Sequence, residues 1–148
     1  MLVRMSRFWS TAYRVQYRFL ALLDPLIRAV WRRFGVGNVV ELSVPSRRGG
    51  RPRSRLVGLL HAGQGRYIGH PNGHVGWTRD LAVAGAGVLS WPDGAAWSFR
   101  AHILAPGDER EAAIRATSQH PFPGNLVYRL GRRHIRAVGV FFRLHETP

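Results

Sequence analysis

Apolar side chains recur at helical spacing through the first 34 residues, in sets such as Phe8, Trp9, Ala12, Tyr13 and then Leu23, Ile27, Val30, Trp31. Arg4, Arg7, Arg14, Arg18, Arg28, Arg32 and Arg33 fall between them, so the pattern predicts amphipathic helices. No apolar run approaches the roughly 20 residues that a membrane span needs. Nor does a clean apolar stretch precede a small-residue cleavage site, so a signal peptide is not expected. Asp24-Pro25 reads as an N-cap followed by the first helical position of a second helix. The expectation is two helices, near 5–23 and 25–34 within a helical stretch starting at Met1, ended by Gly35 and Gly37.

From residue 38 the period shortens toward two. Residues 38–44 predict a strand, 45–53 a loop dense in arginine and glycine, and 54–61 and 66–69 strands joined by Ala62-Gly63-Gln64-Gly65. Gly76–Ala84 reads as a short helix, and 87–91 with 95–104 as a hairpin around Pro92-Asp93-Gly94. Residues 106–120 begin with acids suited to a positive helix N-terminus. A further helix over 125–133 and a strand over 136–144, with Val138, Val140, Phe142 and Leu144 alternating, complete the pattern. Short antiparallel strands outnumbering helices predict an α+β chain built on a small barrel. Residues 1–37 form its helical segment and 38–148 its barrel domain.

Composition changes this picture in two ways. The absence of cysteine excludes disulfides, thiolate metal sites and thiol redox chemistry. Against 8 acidic residues stand 22 basic ones, every one arginine, for a net charge of +14. A GC-rich codon bias accounts for arginine in place of lysine but not for the excess. The excess points to an anionic partner: nucleic acid, acidic lipid or a polyanionic cofactor.

Other chemistries find no foothold. His70 and His74 have i, i+4 spacing, but Pro71 and Gly73 between them oppose a helix and only Asp80 lies nearby, so no metal site is expected. No Gly-x-Ser-x-Gly occurs, and the acids are dispersed through turns and a helix rather than paired for glycoside chemistry. No nucleic-acid motif is recognisable, so a nucleic-acid partner is not expected.

Two segments remain. Ser46-Arg47-Arg48-Gly49-Gly50-Arg51-Pro52-Arg53 joins two strands, where glycines free backbone N–H groups for an anion and arginines add charge-assisted bonds. As a bland alternative it is a solvated basic hairpin. His70-Pro71-Asn72-Gly73-His74-Val75-Gly76-Trp77 follows a strand and offers backbone groups to the edge of a flat heterocycle, or is an ordinary loop ending in a core tryptophan.

These segments, in order and spacing over about 38–144, resemble the deazaflavin-dependent nitroreductase and quinone-reductase family of actinobacteria. Its Thr-Thr-x-Gly-Arg-Lys-Ser-Gly-x-x-Arg motif is matched by Ser43-Val44-Pro45-Ser46-Arg47-Arg48-Gly49-Gly50-Arg51-Pro52-Arg53. Its Pro-x-Trp-Tyr-x-Asn-Leu motif is matched by Val75-Gly76-Trp77-Thr78-Arg79-Asp80-Leu81. The resemblance implies a split β-barrel of the FMN-binding type that holds coenzyme F420, with FMN as the alternative. It places Arg48 and Arg53 at the cofactor phosphate, with Arg47, Gly49 and Gly50 shaping the loop. His70, Pro71, Asn72, Gly73 and Trp77 would lie along the deazaflavin ring. The implied reaction is hydride transfer to a small lipophilic acceptor such as a quinone or nitro compound. Departures stand at Ser46, Gly49, Thr78 and Asp80, and Tyr128 is the one candidate for the tyrosines that line some family pockets. A carrier of F420, flavin, haem or fatty acid on the same barrel is the alternative. A homodimer is expected by analogy, in the cytoplasm. The basic helix leaves two readings open: it lies peripherally on the inner membrane surface, or it packs on the barrel or a second subunit.

Overall fold

The computed structural model describes residues 2–147, with side chains from Arg4 onward. Met1, where the helical stretch was expected to begin, and Pro148, the end of the barrel domain, lie outside the described residues. Helices α1 (Leu2–Leu22) and α2 (Asp24–Phe34) precede strands β1 (Val39–Pro45), β2 (Pro52–Gly58), β3 (Leu60–Ala62) and β4 (Gly65–His70). Then follow α3 (Gly76–Ala84), β5 (Ala86–Ser90), β6 (Ala96–Ile103), α4 (Asp108–Ala116), α5 (Gly124–Leu130), α6 (Arg132–Val138) and β7 (Val140–Glu146).

The antiparallel sheet runs β2-β1-β5-β6-β7-β4-β3. Its two edges are separated in sequence by Leu59 alone. One bent strand therefore pairs with β1 through its first half and with β4 through its second, which curls the sheet into a barrel. The strand expected over 54–61 starts earlier, at Pro52, and bends at Leu59. Asn38 pins the bend: its backbone carbonyl accepts from the Leu59 N–H at 2.9 Å, and its Nδ2 donates to the Leu59 carbonyl at 3.0 Å. Glycine at 58 makes room for His120, since a Cβ there would stand 2.2 Å from the imidazole.

Alternation divides the side chains between two cores. Val40, Leu42, Val44, Ile68, Leu89, Phe99 and Phe142 fill the barrel, capped by Trp77 and Leu81 of α3. On the outer face, Leu60, Tyr67 and Phe141 pack with Ala113, Ile114, Tyr128 and Ile135, and with Tyr13 of α1. Helix α1 thus shares a core with the barrel. On the far side, α2 is fixed by Trp31 Nε1, which donates to the Val39 carbonyl at 2.8 Å. Arg28 bonds Asp24 at 2.7 Å and Glu41 at 2.6 Å.

Three local expectations are corrected. Asp24 is the first helical residue rather than the N-cap, because its carboxylate is drawn down the helix to Arg28. The helix expected over 125–133 breaks at Gly131, packed against Tyr13, where a Cβ would meet the tyrosine hydroxyl at 2.3 Å. Residues 136–138 belong to α6, not the last strand. Arg110 holds that helix end by donating to the carbonyls of Ile135, Arg136 and Gly139.

Candidate functional site: the arginine hairpin and the barrel mouth

The loop of the β1–β2 hairpin spans 46–51, and Arg53, expected within it, lies on β2. Cross-strand partners project to the same side of a sheet. Arg53 faces Val44 and Arg55 faces Leu42, both partners being buried in the barrel core. The two guanidiniums therefore continue the inner face of β2 beyond Val57 and stand exposed at the barrel mouth. Arg48 and Arg51 are also exposed, on the loop itself. Backbone donors there are turned inward: Arg48 N–H donates to Ser46 Oγ, Gly50 N–H to the Ser46 carbonyl, and Arg51 N–H to the Gly49 carbonyl. What the hairpin offers an anion is thus side-chain guanidinium more than a backbone cradle.

Arg47 has a different task. Its Nη1 donates to Asp80 Oδ1 at 2.7 Å and to the Gly76 carbonyl at 3.0 Å, and its backbone N–H reaches the same carboxylate at 3.3 Å. The pair ties the hairpin to α3. Burial works to raise the Asp80 pKa, but the bonds from Arg47 and the charge of Arg53 outweigh it and hold the carboxyl below its usual range. Asp80 therefore cancels Arg47 and leaves Arg48, Arg51, Arg53 and Arg55 without a carboxylate in salt-bridge contact among the described residues. The neighbouring departure, Thr78, is buried and closes the helix start: Val75 N–H donates to Thr78 Oγ1 at 2.7 Å, and that hydroxyl donates to the Val75 carbonyl at 3.1 Å.

The segment from His70 to Trp77 is brought to the same end of the barrel, but much of it is covered. His70, Pro71, Gly73 and Trp77 are buried. Tyr17 of α1 lies over the His70 ring at 4.7 Å between centroids, and Trp77 meets it edge-on at 6.4 Å. Asn72 holds α1 down: Nδ2 donates to the Ser10 carbonyl at 3.0 Å, Oδ1 accepts from His134 Nε2 at 2.8 Å, and the backbone N–H donates to His70 Nδ1 at 3.1 Å. His70 therefore carries its proton on Nε2. Burial, and secondarily the Arg55 charge, push its pKa down to about 4. His74 is exposed.

Tyr128 is not at the mouth. It is buried beneath α1, its hydroxyl 2.6 Å from that of Tyr17, and burial raises both phenols above their ordinary range. Tyr17 to Phe would leave the Tyr128 hydroxyl buried without its partner. The expected loss is about 1–3 kcal/mol in urea unfolding. Replacing both tyrosines by phenylalanine should restore most of it, because neither hydroxyl is then stranded.

Acid should weaken the fold through one buried imidazole, His70, and one half-buried, His120. His120, held between Gly58 and the Tyr128 ring, is also pushed by burial to about 4. With folded values near 4 and an ordinary value of 6.5, the unfolded chain binds the extra protons between those limits. Stability is thus full above pH 6.5 and falls toward pH 4, by about 3 kcal/mol per histidine. Urea midpoints measured across this window should flatten in His120→Gln.

Arg55 and Tyr17 were absent from the sequence-based site. The signal for Arg55 was its i, i+2 relation to Arg53, which puts both on one strand face. Nothing local in the sequence paired Tyr17 with Tyr128, which lies 111 residues away.

No family model matches this chain, and no curated protein matches it in sequence. Solved structures do match in shape. HutZ, the heme storage protein of Vibrio cholerae, superposes with a TM-score of 0.55 at 15% identity, over 85% of this chain and 91% of that one. A putative pyridoxamine 5'-phosphate oxidase from Listeria innocua gives 0.51 at 14% identity, over 85% and 94%. A heme binding protein from Mycobacterium smegmatis gives 0.55 at 16% identity, over 75% of this chain and 47% of that one. At such identities the likeness carries the fold alone: the chain is a split β-barrel of the shape these proteins share.

Proposed function

We propose that this protein binds a planar cofactor with an anionic tail at the barrel mouth, F420 in the first place and FMN in the second. Binding and carrying come first; turnover is the dependent reading. The observation that carries this is the set of four exposed guanidiniums, Arg48, Arg51, Arg53 and Arg55, left free because Asp80 is neutralised by Arg47. Phosphate and carboxylate match the planar fork of arginine, and F420 presents both. Arg53 and Arg55 would take the phosphate, with Arg48 and Arg51 closing over the tail.

When bound, such a cofactor supplies hydride chemistry. The residues around the mouth bind and orient it; His70 is neutral under Tyr17 and Tyr128 is buried, so neither stands at the mouth as a proton donor. That favours a carrier over a reductase. Reduction of a quinone or nitro compound remains the second reading, supported by the resemblance of the hairpin and Trp77 segments to the deazaflavin-dependent reductases. Haem is a further candidate cargo, supported by the heme proteins that share the fold. Its propionates suit the arginines, but His70 accepts the Asn72 N–H on Nδ1 and keeps its proton on Nε2, so neither ring nitrogen offers iron a lone pair. Parallel titrations with F420, FMN and haem, followed by oxidation of reduced F420 with a quinone, separate these readings. Saturable F420 binding without acceptor-dependent oxidation identifies a carrier, and oxidation identifies a reductase. Haem binding with no response to F420 overturns the proposal.

A further inference from the structure

Helix α1 has two distinct faces, one packed on the protein and one open. Its inner face is fixed to the protein by Tyr13, whose hydroxyl donates to the Val127 carbonyl at 3.1 Å, by Tyr17, and by the Ser10 carbonyl on Asn72. Its outer face is apolar and uncovered. Phe8 is 64% exposed, Val15 61%, Phe19 60% and Leu22 82%, and Leu26 of α2 is 63% exposed. Within α1, Phe8, Ala12, Val15, Phe19 and Leu22 advance by alternate steps of four and three, so they form one continuous stripe, and Leu26 adds an exposed apolar side chain on α2. Phe8, Ala12, Val15 and Phe19, together with Thr11 and Gln16, line a shallow open groove along it.

We propose that this stripe lies in the interfacial zone of an anionic lipid bilayer, with the barrel held against the surface. Charge selects the occupant. Arg7, Arg14 and Arg18 recur along one edge of the stripe, residues 2–23 contain no acid, and none of the three makes a salt bridge among the described residues. A second copy docked on the stripe would set arginine-bearing helices together with no carboxylate from α1 between them. Phospholipid headgroups supply the negative charge and acyl chains the apolar contact in one surface. No helix among the described residues is long and apolar enough to cross a membrane, so the contact is with the surface. The proposal is independent of the cofactor reading, and its test needs no cofactor.

Co-sedimentation with phosphatidylcholine vesicles, and with vesicles in which about one third of the lipid is phosphatidylglycerol, tests it. Binding is expected to the anionic vesicles and to be strongly reduced on the neutral ones, with each arginine contributing about fivefold. Phe8→Ser with Phe19→Ser should lower partitioning at least tenfold, with circular dichroism unchanged because both side chains are exposed. Arg7→Gln, Arg14→Gln and Arg18→Gln together should remove the preference for anionic lipid. No binding to anionic vesicles, equal binding to both compositions, or a solution dimer that the two phenylalanine substitutions dissociate would each overturn the proposal.

Discussion

Replacing Arg53 and Arg55 together with alanine should lower affinity for F420 at least about a hundredfold while leaving the thermal unfolding midpoint nearly unchanged. Both side chains are exposed and neither makes a salt bridge among the described residues, so the fold loses little. Each charge-assisted bond to phosphate contributes about 1.5–3 kcal/mol, so losing two corresponds to roughly two to four powers of ten. Arg100→Ala serves as control: Arg100 is also exposed, but its neighbour Phe99 points into the core, so Arg100 projects from the outer face. Fluorescence titration of the double variant and the control measures the difference. Equal affinity in both would move the anion site away from β2.

The largest effect on stability is expected at Gly73. Its φ is +82°, in the left-handed region, and a Cβ there would stand 2.7 Å from the Val138 carbonyl oxygen. The backbone conformation alone costs an L-residue about 1–2 kcal/mol, and the carbonyl cannot retreat without disturbing the end of α6. Gly73→Ala should lose about 3 kcal/mol and lower the unfolding midpoint by roughly 10 °C. Gly49→Ala is the contrast, since an added Cβ meets nothing within 4 Å and its φ is ordinary. Differential scanning calorimetry of the two variants gives the comparison directly.

Gly73 also shows where the sequence was legible and where it was not. Period, turn residues and the glycine-rich loop located the two N-terminal helices, α3 and the β5–β6 hairpin, because those elements follow from local rules. The bend at Leu59 was invisible, because it depends on β1 and β4 pairing with opposite halves of one strand. The break at Gly131 depends on Tyr13, more than a hundred residues earlier. The same divide runs through the site. Charge and glycine content mark the hairpin in the sequence, and the register of β2 against β1 adds Arg55. The task of Arg47 could not be read locally, because its partner Asp80 is 33 residues distant on α3. Asp80, in the sequence only a departure from the family motif, becomes the group that occupies Arg47 and leaves the other arginines unpaired by it. His70 and Asn72 read as a surface for a heterocycle, whereas tertiary packing sets Tyr17 and Ser10 of α1 upon them.

The most direct test of the central claim is a comparison of ligands rather than variants. Fluorescence titration of the full chain with F420, and with the same deazaflavin core lacking the phosphate and glutamate tail, isolates what the arginine hairpin recognises. Saturable binding of F420 that is about a hundredfold tighter than that of the tailless core, and that weakens as salt is raised, is the predicted result. Equal binding of the two, or no binding of either, would contradict it.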